Sequence, residues 1–171
     1  LAKKMSDDIE EMEKMLNEYL EFAKYQKNEE TETINLNDLI KDVTKKYENK
    51  KINVSVEENL KINVRPNSIK RCLTNLTDNG FSYGKKVEIL AKKTSENIII
   101  CVDDDGPGIP KEEYQNVIKP FYRIDKSRGQ NKSGVGLGLS IANDIIRSHG
   151  GNISLNTSPL KGLRVKISLP L

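Results

Sequence analysis

The sequence predicts an α+β fold: a two-layer α/β sandwich with helices on one face of a mixed, mostly antiparallel sheet, preceded by one long N-terminal helix. Three observations predict it. Apolar residues recur at helical spacing through residues 5–23. After a polar break near residue 30, helical and alternating segments mix without regular strand–helix–strand repetition. The chain then closes on two alternating segments, 152–156 and 163–169.

Met5, Ile9, Met12, Leu16, Tyr19 and Ala23 are spaced 4, 3, 4, 3 and 4 apart, which is a heptad seam. Met15, Leu20 and Phe22 widen the stripe toward a bundle helix. Residues 27–33 lose all periodicity and read as a linker, so a domain boundary is expected near residue 30. Beyond it, Asn35 or Asn37 can cap a helix through Leu39, Ile40 and Val43. Residues 51–56 and 60–64 alternate like strands. Pro66-Asn67-Ser68 opens a helix with Ile69, Cys72, Leu73 and Leu76 on one side. Residues 87–93 and 97–102 form a strand pair around Thr94-Ser95-Glu96. Residues 111–118 are a short helix stopped before Pro120. Val135 to Ser148 is a helix ended by His149-Gly150-Gly151.

Composition narrows the function. At 171 residues and 36% hydrophobic, the chain supports one core plus an appendage. No run approaches the roughly 18–20 apolar residues of a membrane span, and no signal peptide is visible. The sequence therefore reads as soluble and cytosolic, with a membrane-bound parent left open. Cys72 and Cys101 lack metal-ligand spacing and read as buried thiols. One histidine, His149, cannot build a zinc site. Residues 1–33 carry five lysines against ten acids, so the overall charge of +3 leaves the rest of the chain at +8. A basic body suits an anionic ligand, or is simply a solvated surface.

Three motifs carry chemistry. Asn75 and Asn79 share one helix face, and amide oxygens are hard, neutral donors that Mg²⁺ accepts beside phosphates. Taken alone, such a pair is more often two surface asparagines. Asp104-Asp105-Gly106-Pro107-Gly108 follows an apolar run. A carboxylate there can accept a hydrogen bond from an exocyclic amine, and the glycines let the backbone pass close to a base; alone, it is also an ordinary acidic turn. Gly134, Gly136 and Gly138 lead into a helix, where backbone N–H groups and the helix dipole suit a phosphate. This run is neither a Walker A loop nor a dinucleotide fingerprint.

Together and in order, these motifs resemble the N, G1, F and G2 boxes of bacterial sensor histidine kinases of two-component systems. The matching text is NLTDNGFSYG, VDDDGPGIP, KPFYRIDKSRG and SGVGLGLSIANDIIRSHGGNISL. The resemblance implies a Bergerat-type ATP-binding fold of the GHKL superfamily over residues 35–171. Residues 1–26 are similar to the second helix of the family's dimerisation hairpin, with residues 27–34 as linker. The implied reaction is transfer of the γ-phosphate of ATP to a hairpin histidine, then to a response-regulator aspartate. The implied cofactors are ATP and Mg²⁺. The implied partners are the phosphoacceptor helix, a receiver domain and a second copy in the parent, with no nucleic acid. The chain would be the cytoplasmic portion of an inner-membrane sensor kinase.

Carried over residue by residue, ATP binding falls to Asn75, Asn79, Tyr83, Asp104, Gly106, Gly108, Ile109, Phe121, Gly134, Gly136, Leu137 and Gly138. Asn79 holds the Mg²⁺ and Asp104 the adenine amine. Residues 122–134 would be a lid hinged at Gly129 and Gly134, with Arg128 a contact for the γ-phosphate. Two positions depart from the family pattern. Gly80 replaces an alanine and is expected to weaken its helix by roughly 1 kcal/mol. Ser82 replaces a basic residue, so nucleotide affinity is expected to be weaker than usual. His149 sits where the family has His-Gly-Gly, as a structural residue whose cationic form suits a helix C-terminus. The phosphoacceptor is therefore expected outside this sequence. ATP-driven clamps of the gyrase, mismatch-repair and heat-shock types, serine kinases of sigma-factor antagonists, and a scaffold without catalysis are the alternatives.

Overall fold

The computed structural model describes residues 1–124 and 136–171. The elements run α1 (Ala2–Asn28), β1 (Glu32–Asn35), α2 (Leu36–Thr44), β2 (Lys51–Val56), β3 (Lys61–Val64), α3 (Pro66–Tyr83), β4 (Lys86–Lys93) and β5 (Asn97–Asp104). They continue through a 3-10 turn (Lys111–Glu113), α4 (Tyr114–Val117), α5 (Gly138–Ser148), β6 (Asn152–Thr157) and β7 (Leu163–Pro170). Five strands form a sheet in the order β2-β4-β5-β7-β6, with β2 parallel to β4 and the other pairings antiparallel. A two-stranded antiparallel sheet, β1-β3, stands beside it. This is the α+β sandwich the sequence predicts, with the long helix in front.

Strand alternation builds the core. Val87, Ile89 and Ala91 of β4, Ile98, Ile100 and Val102 of β5, and Val165, Ile167 and Leu169 of β7 are buried. The faces of α3 and α5 cover them with Ile69, Cys72, Leu73, Leu76, Ile141, Ala142, Ile145 and Ile146. Both cysteines are buried and free.

Two elements differ from expectation at the boundary. The supposed linker, 27–34, continues α1 to Asn28 and then pairs as β1, with Ile34 opposite Ile62. Four residues, two of them exposed, give no readable alternation; the partner strand makes the element. The segment also caps a distant helix. The Glu29 carboxylate accepts from Asn67 N (2.5 Å), Ser68 N (3.0 Å) and Ser68 Oγ (2.7 Å), satisfying the first amides of α3. Asn35, rather than Asn37, caps α2: its Oδ1 accepts from Asn37 N at 2.9 Å.

α1 lies against the body through its second half. Phe22 is buried, and Arg71 Nη2 donates to Glu18 O at 3.0 Å while its guanidinium stacks over the Phe22 ring. The seam residues Met5, Ile9, Met12, Leu16 and Tyr19 are exposed. Among the described residues, no helix is long and apolar enough to cross a membrane.

Candidate functional site

The expected site residues gather along the C-terminal half of α3, the end of β5 and the start of α5. The i, i+4 spacing puts Asn75 and Asn79 on one half-buried ridge of α3. Asn75 Nδ2 donates to Gly138 O at 3.4 Å, and a Cβ on Gly138 would lie 3.8 Å from the Asn75 Cβ. The N-terminus of α5 therefore opens directly beside the amide ridge. Leu137, just before it, is buried.

Asp104 ends β5 with only 6% of its surface exposed. Its Oδ1 accepts from Gly106 N (2.8 Å) and Leu163 N (3.1 Å), and its backbone oxygen accepts from Gly162 N (3.2 Å). Burial pushes its pKa above the ordinary carboxylate value, opposed by the two backbone hydrogen bonds. With Oδ1 doubly bonded, Oδ2 is the oxygen left to accept a hydrogen from an amine. Glycines make this crowding tolerable. A Cβ on Gly106 would come 3.0 Å from both Asp104 Oδ1 and Tyr83 O. Gly108 adopts φ +73°, a left-handed conformation suited to glycine. Asp105 faces the other way: its Oδ1 accepts from Lys85 N (2.7 Å) and Lys86 N (2.9 Å), which hold its pKa down.

Gly136 and Phe121 close the base of the segment between them. Phe121 N donates to Gly136 O at 3.1 Å. Gly136 has φ +73°, and its missing Cβ would sit 3.1 Å from Tyr122 O. Phe121 itself has φ +64° and an exposed ring. A bulky residue at positive φ is uncommon and is held here by the flanking bonds. Ile109 packs partly buried on the core, and Tyr83 is half exposed. Arg128, Gly129 and Gly134 lie outside the described residues.

The fit to Mg²⁺ rests on donor chemistry. Among the described residues no group of three or more His, Cys, Asp or Glu could hold a metal ion. Two neutral amides on one ridge suit an ion that brings waters and phosphate oxygens for most of its shell.

The structure adds residues the sequence reading missed. Gly162 packs against Asp104 so closely that a Cβ would meet Asp104 Oδ1, Asp104 O and, at 2.6 Å, Gly106 N. Its only sequence signal is a glycine just before a strand. A cavity of about 250 Å³ lies between the 107–110 turn, Tyr114, Thr157 and the Lys161–Gly162 turn. Behind α3, buried Tyr47 donates to Asp78 Oδ1 at 2.6 Å and stacks on Phe81.

His149 corrects one expectation. It is structural, but as a neutral ring. Nε2 accepts from Arg65 N (3.1 Å), so Nδ1 carries the proton toward Ile145 O (2.7 Å). Burial, the largest cause, holds its pKa below 6.5. This overrides the attraction of a helix C-terminus for a cation. The unfolded histidine therefore takes up a proton first as pH falls. The His149 contribution is fully present above pH 6.5 and is lost as pH drops from there through the lower folded value. Denaturant midpoints should therefore fall between pH 7.5 and pH 5.5. His149→Gln should show a smaller fall; an equal fall would place the proton uptake elsewhere.

Residues 64–171 match the family model described as histidine kinase-, DNA gyrase B-, and HSP90-like ATPase. The chain is 33% identical over 172 residues to the sensor histidine kinase GtrS of Pseudomonas aeruginosa, covering 99% of this chain and 36% of that protein. It is 40% identical over 107 residues to the sensor histidine kinase CpxA of Escherichia coli, covering 62% of this chain and 23% of that one. It thus spans about a third or less of the length of these relatives. The catalytic domain of the histidine kinase ThkA superposes with a TM-score of 0.73 at 28% identity, covering 82% of this chain and 95% of that domain.

Proposed function

Because this chain belongs to the histidine kinase-, DNA gyrase B-, and HSP90-like ATPase family, we propose that it is the ATP-binding catalytic part of a sensor histidine kinase. Its reaction transfers the γ-phosphoryl of ATP to an imidazole nitrogen: the new N–P bond forms as the β–γ P–O bond breaks and ADP departs. The observation that carries this reading is the carboxylate of Asp104. It is buried at a strand end, fixed through one oxygen by two backbone amides, and open at the other.

In this reading Asp104 Oδ2 accepts the adenine amine. Gly106 and Gly108 let the base approach. Asn75, Asn79 and the amides at the start of α5 bind the triphosphate. Transfer of this kind depends on positioning and neutralisation of charge rather than on covalent help from the protein. Bound Mg²⁺ would neutralise phosphate charge, and Asn79 is the residue proposed to hold it. His149 has both ring nitrogens engaged inside the fold; the acceptor proposed is a histidine on a hairpin helix outside this sequence. α1 is proposed as the second helix of that hairpin, residues 27–34 as its junction and 35–171 as the catalytic unit. From the acceptor, the phosphoryl group would pass to a response-regulator aspartate in a parent anchored in the inner membrane.

Calorimetric titration of ATP with and without Mg²⁺ tests the site. ATP should bind more tightly with Mg²⁺. Asp104→Asn should weaken binding roughly 10- to 150-fold, the worth of a charge-assisted hydrogen bond of about 1.5–3 kcal/mol. A folded Asp104→Asn protein with wild-type affinity would sink the proposed base contact.

A further inference from the structure

The face of the sheet turned away from α3 and α5 contains one fully buried carboxylate. Asp103 stands directly opposite Arg164 in the β5–β7 pairing and has no exposed surface. Arg164 Nε donates to Asp103 Oδ1 and Nη2 to Oδ2, both at 2.7 Å. This is the two-pronged geometry that suits guanidinium and carboxylate. The carboxylate raises the arginine pKa above its usual value. Such a pair is costly to desolvate, and a hydrophobic pair of similar volume often serves stability as well. Its best-attested use is to fix register.

The neighbouring residues show what register is at stake. Successive side chains point to opposite faces, so the residues beside this pair, Asp104 and Leu163, face the helices. There Leu163 N donates to Asp104 Oδ1 and Gly162 N to Asp104 O. Asp104 is the last residue of β5, Leu163 is the first of β7, and the chain turns away beyond both. The site carboxylate thus hangs on the end of a ladder, where strands fray. A slip of one residue would move the amide of Leu163 off Asp104 and bring a side chain to the wrong face.

We propose that Asp103 and Arg164 are positioning residues that lock this ladder end, aiming the Asp104 carboxylate at the exocyclic amine of the base. The inference rests on the reading of Asp104 as the base-binding residue. It gives the outer-face ion pair a part in choosing adenine, although neither residue touches the nucleotide.

The test compares binding of ATP with that of inosine triphosphate, which carries a carbonyl in place of the amine. Arg164→Gln alone leaves a buried, uncompensated carboxylate and can fail to fold. The informative protein is therefore Asp103→Asn with Arg164→Gln, which removes both charges, leaves a neutral polar pair in their place and keeps the volume at position 103. The wild type should prefer ATP. The double variant should lose about tenfold in the ratio of the two affinities. Arg164→Lys should keep part of the preference, since an ammonium supplies the charge without the fork. A folded double variant with the wild-type ratio, even if both affinities fall together, would overturn the proposal. Asp104→Asn separates the two layers of argument. If it keeps the ratio, the base contact itself is wrong. If it collapses the ratio while the double variant does not, only the positioning role fails.

Discussion

Gly162→Ala is expected to weaken ATP binding at least about tenfold and to destabilise the fold by about 1–3 kcal/mol, toward the upper end of that range. The reason is space rather than dihedral freedom. The added methyl would meet Asp104 at both its backbone oxygen and Oδ1, and would lie 2.6 Å from Gly106 N. Two of those three atoms are backbone, so no rotamer change relieves the contact. The β6–β7 turn must move away, carrying off the Gly162 and Leu163 amides that hold Asp104. Once released, the carboxylate can rotate, and affinity for ATP should drop at least about tenfold. Thermal unfolding and ATP titration of the same sample check both halves. An alanine variant that binds like the wild type would show that the turn yields without disturbing Asp104.

That glycine marks the limit of what the sequence makes legible. The helical periods of α3 and α5, and the alternation of β4, β5 and β7, are visible because each buries one face of a repeating pattern, and α1 is visible through its heptad spacing although its seam is exposed. The amide ridge of α3 follows from a spacing of four, and the Asp104 turn from its glycines. Contacts made across long separations leave no such trace. Glu29 caps a helix 38 residues away. Gly162 guards a carboxylate on another strand. Tyr47 is bonded to Asp78 behind the amide ridge. His149 shows the same limit from the opposite direction. Position at a helix end suggests a cation, but the amide of Arg65, 84 residues distant, requires an acceptor and so a neutral ring. β1 is hidden because its four residues are made a strand by β3 alone.

The sign of a second glycine substitution separates local propensity from packing. Judged as a helical residue, Gly80 should be improved by alanine, by roughly 1 kcal/mol. The structure reverses that expectation. Gly80 is buried where α3 crosses the sheet, and a Cβ would lie 2.9 Å from Val87 Cγ2 and 3.5 Å from the Asp104 Cβ. Val87 is fully buried, and a β-branched side chain has little rotamer freedom with which to retreat. Lifting the helix would carry Asn79, the preceding residue, out of its place on the ridge, and would part Gly80 from Asp104. Gly80→Ala should therefore cost about 1–2 kcal/mol net, with overpacking outweighing the gain in propensity, and should weaken ATP binding. Val87→Ala alone should also destabilise, by opening a cavity. Together the two changes should cost less than the sum of their separate costs, because the second vacates the volume the first needs. Additive costs in denaturant unfolding would mean that the methyl added at Gly80 is accommodated elsewhere. A Gly80→Ala protein more stable than the wild type would mean that helix propensity, not the close approach of α3 to β4, governs this position.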